Sequence, residues 1–327
     1  MHILRYRSGV GSSKIWRLIL TRLAKLIFLL IILVICHTDA KAQGQGPVIL
    51  TLPANTRAMA MGNSFQLADP TGDVLFYNPS LLVGSTAFTM SRHTFGKEAS
   101  LLQMSAKTEW WKGAVAVGIQ SLGYSKNINN IQPVPVSQTE RELFKKGLNR
   151  ISESVATVGY GWELAGLDWG ISGKIIGQGV GGSKGQAYAL DFGGSKTMGP
   201  FTIGLAHQNM GNSLKITTSE IDSENQTTLG AGFHNLPLGP FDVGASAAVS
   251  KNPNRPTSKH IGGEISWWPV SGRTFTGRIG MRSEKEVFQS VILSFGLGFK
   301  GDAFGIDYAF SDIDGAGNAH RMSVSWQ

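Results

Sequence analysis

One cysteine and a charged fraction of only 16% in 327 residues set the first limits. A single thiol builds neither a disulfide framework nor a cysteine zinc site. With 42% apolar residues, the chain is too hydrophobic to be disordered. After Cys36 no stretch approaches the 18 consecutive apolar residues of a membrane-spanning helix. The net charge of +8 is no sign of nucleic-acid binding. Residues 1–42 hold seven of the 30 basic residues and one of the 22 acids, which leaves +2 for the remainder.

Glycine is what the chain has in excess: 42 residues, about twice the usual share of roughly 7%. No Gly-x-y period accompanies it, so tight turns or close backbone contacts must use it.

Residues 1–42 read as a secretory signal peptide. Residues 1–25 are basic and lack acids, Leu26–Cys36 is an unbroken apolar run, and Ala40-Lys41-Ala42 fits the small-x-small cleavage rule. An 11-residue run is too short to cross about 30 Å of hydrocarbon as a helix, which argues against an anchor. Bulky Ile35 before Cys36 argues against a lipoprotein.

From residue 85 the chain alternates with period two, the signature of strands. Val287, Val291, Leu293, Phe295, Leu297 and Phe299 share one face; Ser290, Ser294, Gly296, Gly298 and Lys300 share the other. Met322, Val324 and Trp326 alternate with Arg321, Ser323 and Ser325 in the same way. Fourteen such segments run from 85–95 to 319–327. Connections after even-numbered strands are tight, whereas every long one follows an odd-numbered strand: 128–149, 180–185, 212–225, 252–257 and 312–318. That segregation predicts an all-β fold: a 14-stranded antiparallel transmembrane β-barrel in a cell outer membrane, its tight turns periplasmic. Residues 43–84 break the rhythm at Asn78-Pro79.

Barrel geometry then assigns faces, apolar toward lipid and polar toward the lumen. The expected lumen charges are Lys174, Asp191, Glu264, Arg278, Arg282, Asp307 and Arg321, whose mixed signs favour pairing across the interior over an ion pathway. Tyr160, Trp162, Trp169, Trp267 and Trp268 fall near strand ends, where aromatic girdles sit. In the longest loop, Ser137 and Glu140 form a capping box ahead of a short helix with Leu143 and Phe144 as its apolar face. That helix either rests on the barrel rim or binds a partner.

Enzyme signals are weak. Gly177-x-Gly179-x-x-Gly182 lacks the strand–helix context of a dinucleotide site and reads as a glycine-rich loop. Asp312-Ile313-Asp314-Gly315 lacks the closing Glu of a calcium loop and reads as a turn. His93, His207, His234, His260 and His320 have no metal spacing. No enzyme activity, cofactor, metal or nucleic acid is expected.

Leu52-Pro53-x-x-x-Arg57-Ala58-x-x-Met61-Gly62, then Ala68-Asp69 and Phe76-Tyr77-Asn78-Pro79, resembles the N-terminus of the PorV/PorQ family of outer-membrane proteins, relatives of the FadL fatty-acid transporters. Asp191-Phe192-Gly193 with Gln208-Asn209-Met210-Gly211 resembles an internal signature of that family, and Phe304–Phe310 followed by Gly317–Arg321 resembles its C-terminus. The family's usual terminal aromatic is displaced here, since Gln327 follows Trp326. The resemblance implies that 43–84 is a plug inside an 85–327 barrel, anchored by Asn78, Pro79 and Arg57. It implies an accessory of type IX secretion, with secretion components or exported cargo as partners. The other reading is a FadL-like channel for hydrophobic small molecules, marked by an apolar pocket behind the plug; a filled lumen would mark the accessory. Outer-membrane lipid is the surrounding partner in both.

Protein purified from membranes is expected to begin at or near Gln43. N-terminal sequencing that returned Met1 or Arg22 would refute export by cleavage.

Overall fold

Alternating strands close into a ring in the computed structural model, which describes residues 46–64, 71–96, 99–124, 151–180, 183–216, 219–253, 255–283, 291–313 and 317–327. The strands are β1 (Ala87–Phe95), β2 (Ala99–Trp110), β3 (Gly113–Tyr124), β4 (Ile151–Leu164), β5 (Leu167–Val180), β6 (Ser183–Met198) and β7 (Phe201–Gly211). Two short ones follow, β8 (Leu214–Ile216) and β9 (Ser219–Ile221). Then come β10 (Gln226–Leu238), β11 (Phe241–Asn252), β12 (Arg255–Val270), β13 (Arg273–Ser283), β14 (Val291–Lys300), β15 (Phe304–Ile313) and β16 (Gly317–Trp326). All but β8 and β9 form one antiparallel barrel of 14 strands, closed where β1 pairs with β16.

One end of the ring carries only tight turns. Ala165 and Gly166, with φ of 58° and 73°, join β4 to β5 as the left-handed pair of a two-residue hairpin. The other end carries the longer connections, but two of those expected there shrink. The ladder continues to Val180↔Ser183 and to Asn252↔Arg255, so each turn has two residues. Gly177 and Gly179 lie in β5 opposite Ser154 and Ser152, not in a loop, while Gly182 is outside the described residues. Asp312 likewise belongs to β15, and Asp314 and Gly315 are outside the described residues. Val287, Ser290, Leu143 and Phe144 are also outside them.

The connection 212–225 holds the unforeseen β8–β9 hairpin, whose Leu214, Ile216 and Ile221 are buried. They pack with inward-facing Leu101, Leu122, Ile151, Val155 and Ile176 and with Val48 and Ile49 of the N-terminal segment. The polar-inside rule therefore fails at the loop end: along β4, Ile151 and Val155 are buried while Ser152 and Ser154 are exposed. The reason is that this half of the lumen holds protein rather than water.

Elsewhere the rule holds. Leu293, Phe295 and Leu297 are exposed on β14 between buried Ser294 and Gly296. Aromatics gather at the turn end. Tyr160 stacks on Trp162 with centroids 5.9 Å apart, and Trp110, Trp111, Trp267, Trp268, Phe201 and Trp326 are exposed there. Trp169 differs in being buried, with the Phe192 ring 5.7 Å away.

Leu293→Arg is expected to cost about 2–4 kcal/mol of folding free energy in vesicles, from a charge on the lipid face. Ser294 is an unsuitable control. Its Oγ accepts from Gly62 N–H at 3.0 Å and donates to the Ala60 carbonyl at 3.2 Å, so arginine there would displace the segment inside. Thr276→Arg, on the half-buried inner face at the turn end, should cost far less. Equal losses in urea titrations would mean the faces are misassigned.

Candidate functional site: the occupied lumen

The described parts of the N-terminal segment lie in the lumen at both its loop end and its turn end. At the loop end Gly46 N–H donates to Glu224 at 2.6 Å. Glu224 also accepts from Asn252 at 2.7 Å and Arg255 at 3.1 Å. Val48 and Ile49 N–H groups donate to Glu153 at 3.2 and 2.7 Å. Both carboxylates are almost fully buried, and charge-assisted bonds of this kind are the strong ones. Neither was foreseen. The available signal was an acid flanked at i±2 by Ile151 and Val155, a charge among apolar inward positions.

Further down, Arg321 donates to the Pro53 carbonyl at 2.6 Å and the Ala54 carbonyl at 3.2 Å. Gln103 donates to the Ala54 carbonyl at 2.7 Å. A one-turn helix, α1 (Thr56–Ala60), begins at Asn55, whose side chain accepts from Ala58 N–H at 2.6 Å. Two 3-10 turns, Gly72–Phe76 and Pro79–Leu82, complete the path to β1 at the turn end.

Glycines let this backbone lie against the wall. Met61 and Gly62 rest on Gly262 and Gly280, and Ala60 on Gly296. The Pro79 turn rests on Gly161, Gly170 and Gly193. A Cβ at Gly170 would fall inside the Pro79 carbonyl, so no side chain fits there. Close approach, as well as turns, uses the glycine excess.

Asn78 packs its side chain against Gly193 of β6. It is fully buried, and its Oδ1 accepts from Ser80 N–H at 3.0 Å and Ser80 Oγ at 2.8 Å. Its Nδ2 meets no partner among the described residues. Asn78 thus shapes the turn as well as touching the wall, Pro79 contacts the wall beside it, and Ser80 Oγ lies 2.9 Å from Ser195 Oγ on β6.

All seven expected lumen charges face inward, in separate groups. Lys174 pairs with Asp191 at 2.8 Å and donates to Asn209 Oδ1 at 2.7 Å. Asn209, at φ 61°, occupies a bulge where pairing steps from Leu190↔Met210 to Phe192↔His207. Asp191 accepts from the Asn209 N–H at 2.8 Å, so the two internal motifs are the two sides of one bulge. On the opposite wall Glu264 binds Arg57 of α1 and also Arg278 at 3.2 Å; Arg278 reaches Asp307 at 2.5 Å. Arg57 is thereby an anchor to the wall. Arg321 holds the Pro53–Ala54 backbone, and Arg282 lies on β13 nearer the loop end.

Beside this network a cavity of about 380 Å³ lies at the turn end, lined by Arg57, Asp73, Glu264, Arg278, Lys300 and Asp307 among others. The lumen thus has two compartments: a polar vestibule at the turn end, and an apolar compartment at the loop end filled by Val48, Ile49 and the β8–β9 hairpin.

A closed ring of 14 strands, apolar outside and filled inside, is a transmembrane β-barrel of the kind that spans outer membranes. Solved structures share the fold. The Pseudomonas putida toluene transporter TodX is 10% identical, with a TM-score of 0.55 over 88% of this chain and 99% of its own. The monoaromatic hydrocarbon channel CymD is 11% identical, TM-score 0.57, covering 83% and 96%. The Ralstonia pickettii toluene transporter TbuX is 12% identical, TM-score 0.54, covering 83% and 97%. No family profile and no curated sequence matches the chain. At these identities the likeness is one of fold.

Glu264→Ala strips a shared partner from two arginines and should cost roughly 2–3 kcal/mol, below the ~3–5 of a fully buried pair because the side chains keep 10–15% exposure. Arg57→Ala should cost less, since Glu264 keeps Arg278. Gly170→Ala should leave the barrel closed yet lift the Pro79 turn, seen as faster tryptic cleavage at Arg57. Unchanged cleavage would show that the turn does not rest on that glycine.

Proposed function

We propose that this barrel admits hydrophobic small molecules across the outer membrane, and that Val48, Ile49, Leu50 and Leu52 occupy the place a guest takes. The carrying observation is the apolar inner cluster at the loop end, built from wall side chains that face the lumen. An enclosed apolar site with few polar anchors is the usual form of a small-molecule pocket. The fold shared with a toluene transporter and a hydrocarbon channel supports the same reading.

A guest must displace the N-terminal segment, which Glu153 and Glu224 hold by its backbone. Glu153→Gln keeps the shape but leaves one acceptor oxygen for two N–H groups, so one bond becomes neutral and the other is lost. Losing about 1.4 kcal/mol of hold should raise apparent affinity for a long-chain fatty acid or an alkylbenzene about tenfold. A fluorescent fatty-acid titration reads this directly; unchanged or weaker binding would reject the displacement scheme.

The second reading, a type IX secretion accessory, rests on the sequence motifs and on the filled lumen. A deletion strain separates the two. Loss of hydrophobic uptake with normal secretion supports the channel, whereas trapped, unprocessed exported proteins with normal uptake support the accessory.

A further inference from the structure

The outward wall is apolar through its middle, yet across β7 and β10–β13 it becomes basic toward the loop end. His207, Thr227 and Lys251 stand opposite one another in one cross-strand row, and the His207 ring nitrogen Nδ1 lies 2.7 Å from Thr227 Oγ1. In the next row toward mid-membrane, Leu205, Leu229 and Val249 lead to Lys259 and then Ser283. Below that, Ile261 stands opposite Met281. Lys251 and Lys259 are both exposed and lie diagonally across the β11–β12 pair, on the order of 7–8 Å apart at the backbone.

Two like charges at that spacing repel, and no carboxylate stands among the described outward residues of β7 and β10–β13. Among the described residues, outward and exposed Asp312 at this end is on β15, three strands from Lys259. Inside the barrel Lys174, Arg278 and Arg321 are met by carboxylates or carbonyls. The apolar rows beneath place the two ammonium groups where hydrocarbon gives way to headgroups, and long lysine stems reach upward from such a position.

We propose that Lys251 and Lys259, with Thr227, His207 and Ser283 beside them, form a binding site for the phosphate headgroup of an anionic lipid in the loop-side leaflet. The acyl chains lie on Leu229, Val249, Ile261 and Met281, and the phosphate bridges the two ammonium groups. Arg92 and Lys184 are also outward and exposed near the loop end, but on β1 and β6, outside the Lys251–Lys259 pair. The site is independent of what passes through the lumen.

The test is native mass spectrometry of the full mature protein in detergent, titrated with phosphatidic acid, with phosphatidylcholine of the same chains, and with inorganic phosphate. Wild-type protein should bind phosphatidic acid about tenfold more tightly than phosphatidylcholine. Lys251→Gln with Lys259→Gln should bring that ratio close to one, and the paired lysine-to-arginine changes should keep it. Lys184→Gln should leave it unchanged. Heat-modifiable migration confirms that each variant is folded; if the double variant fails to fold, Lys259→Gln alone should lower the ratio severalfold. A ratio near one in wild type, a ratio untouched by the glutamine changes, or displacement of the lipid by millimolar phosphate would each overturn the proposal.

Discussion

An open sheet edge cannot stand in hydrocarbon, because each unpaired N–H or C=O there loses water without gaining a partner. Pairing of β1 with β16 removes that edge, and the rest of the structure follows from it. Once the ring is closed, the outside must be apolar, and the inside becomes a long compartment that has to be filled or flooded. This chain does both, filling the loop half with its own N-terminal segment and leaving a polar vestibule in the turn half.

The filler is mostly irregular backbone, so its own polar groups need partners. Side chains of the wall supply them, in place of a ladder or a long helix. Glu224 and Glu153 take the first N–H groups, Arg321 and Gln103 meet the Pro53 and Ala54 carbonyls, and Gln208 meets the Phe76 carbonyl at 2.9 Å. Glycine on the facing strands is the second requirement, since such bonds form only if two backbones come close. A hold made of separable side-chain bonds, over an apolar patch, is well suited to being exchanged for an apolar guest. A ladder-paired plug would have to break many bonds at once.

Much of the barrel was legible in the chain. Strand alternation depends only on the pleat, which sends neighbouring side chains to opposite faces, so Leu293 and Ser294 could be assigned outward and inward at once. Turn chemistry marked one end of the ring, as Ala165-Gly166 shows. The lumen charges were readable for the same reason, since a charge on the polar face of a spanning strand has nowhere to go but inward. What misled was the assumption of a uniformly polar interior. Ile151 and Val155 reverse it, and nothing local to β4 tells that Val48 and Leu214 lie against them. The β8–β9 hairpin was missed because a three-residue strand has too few positions to show a period.

The ring follows from local properties of the chain: alternation, turn spacing and the absence of a spanning helix can each be read a few residues at a time. What the ring contains depends instead on contacts between distant positions. Arg57 meets Glu264 across 207 positions and Arg321 meets Pro53 across 268, and no periodicity carries over such separations. The same limit explains Asn78, which has the chemistry to bind the wall yet spends its oxygen on its own turn while Ser80 reaches β6. Which of two neighbouring polar side chains bonds to a wall is set by the path of the backbone between them, and that path is fixed by where glycine lets it approach.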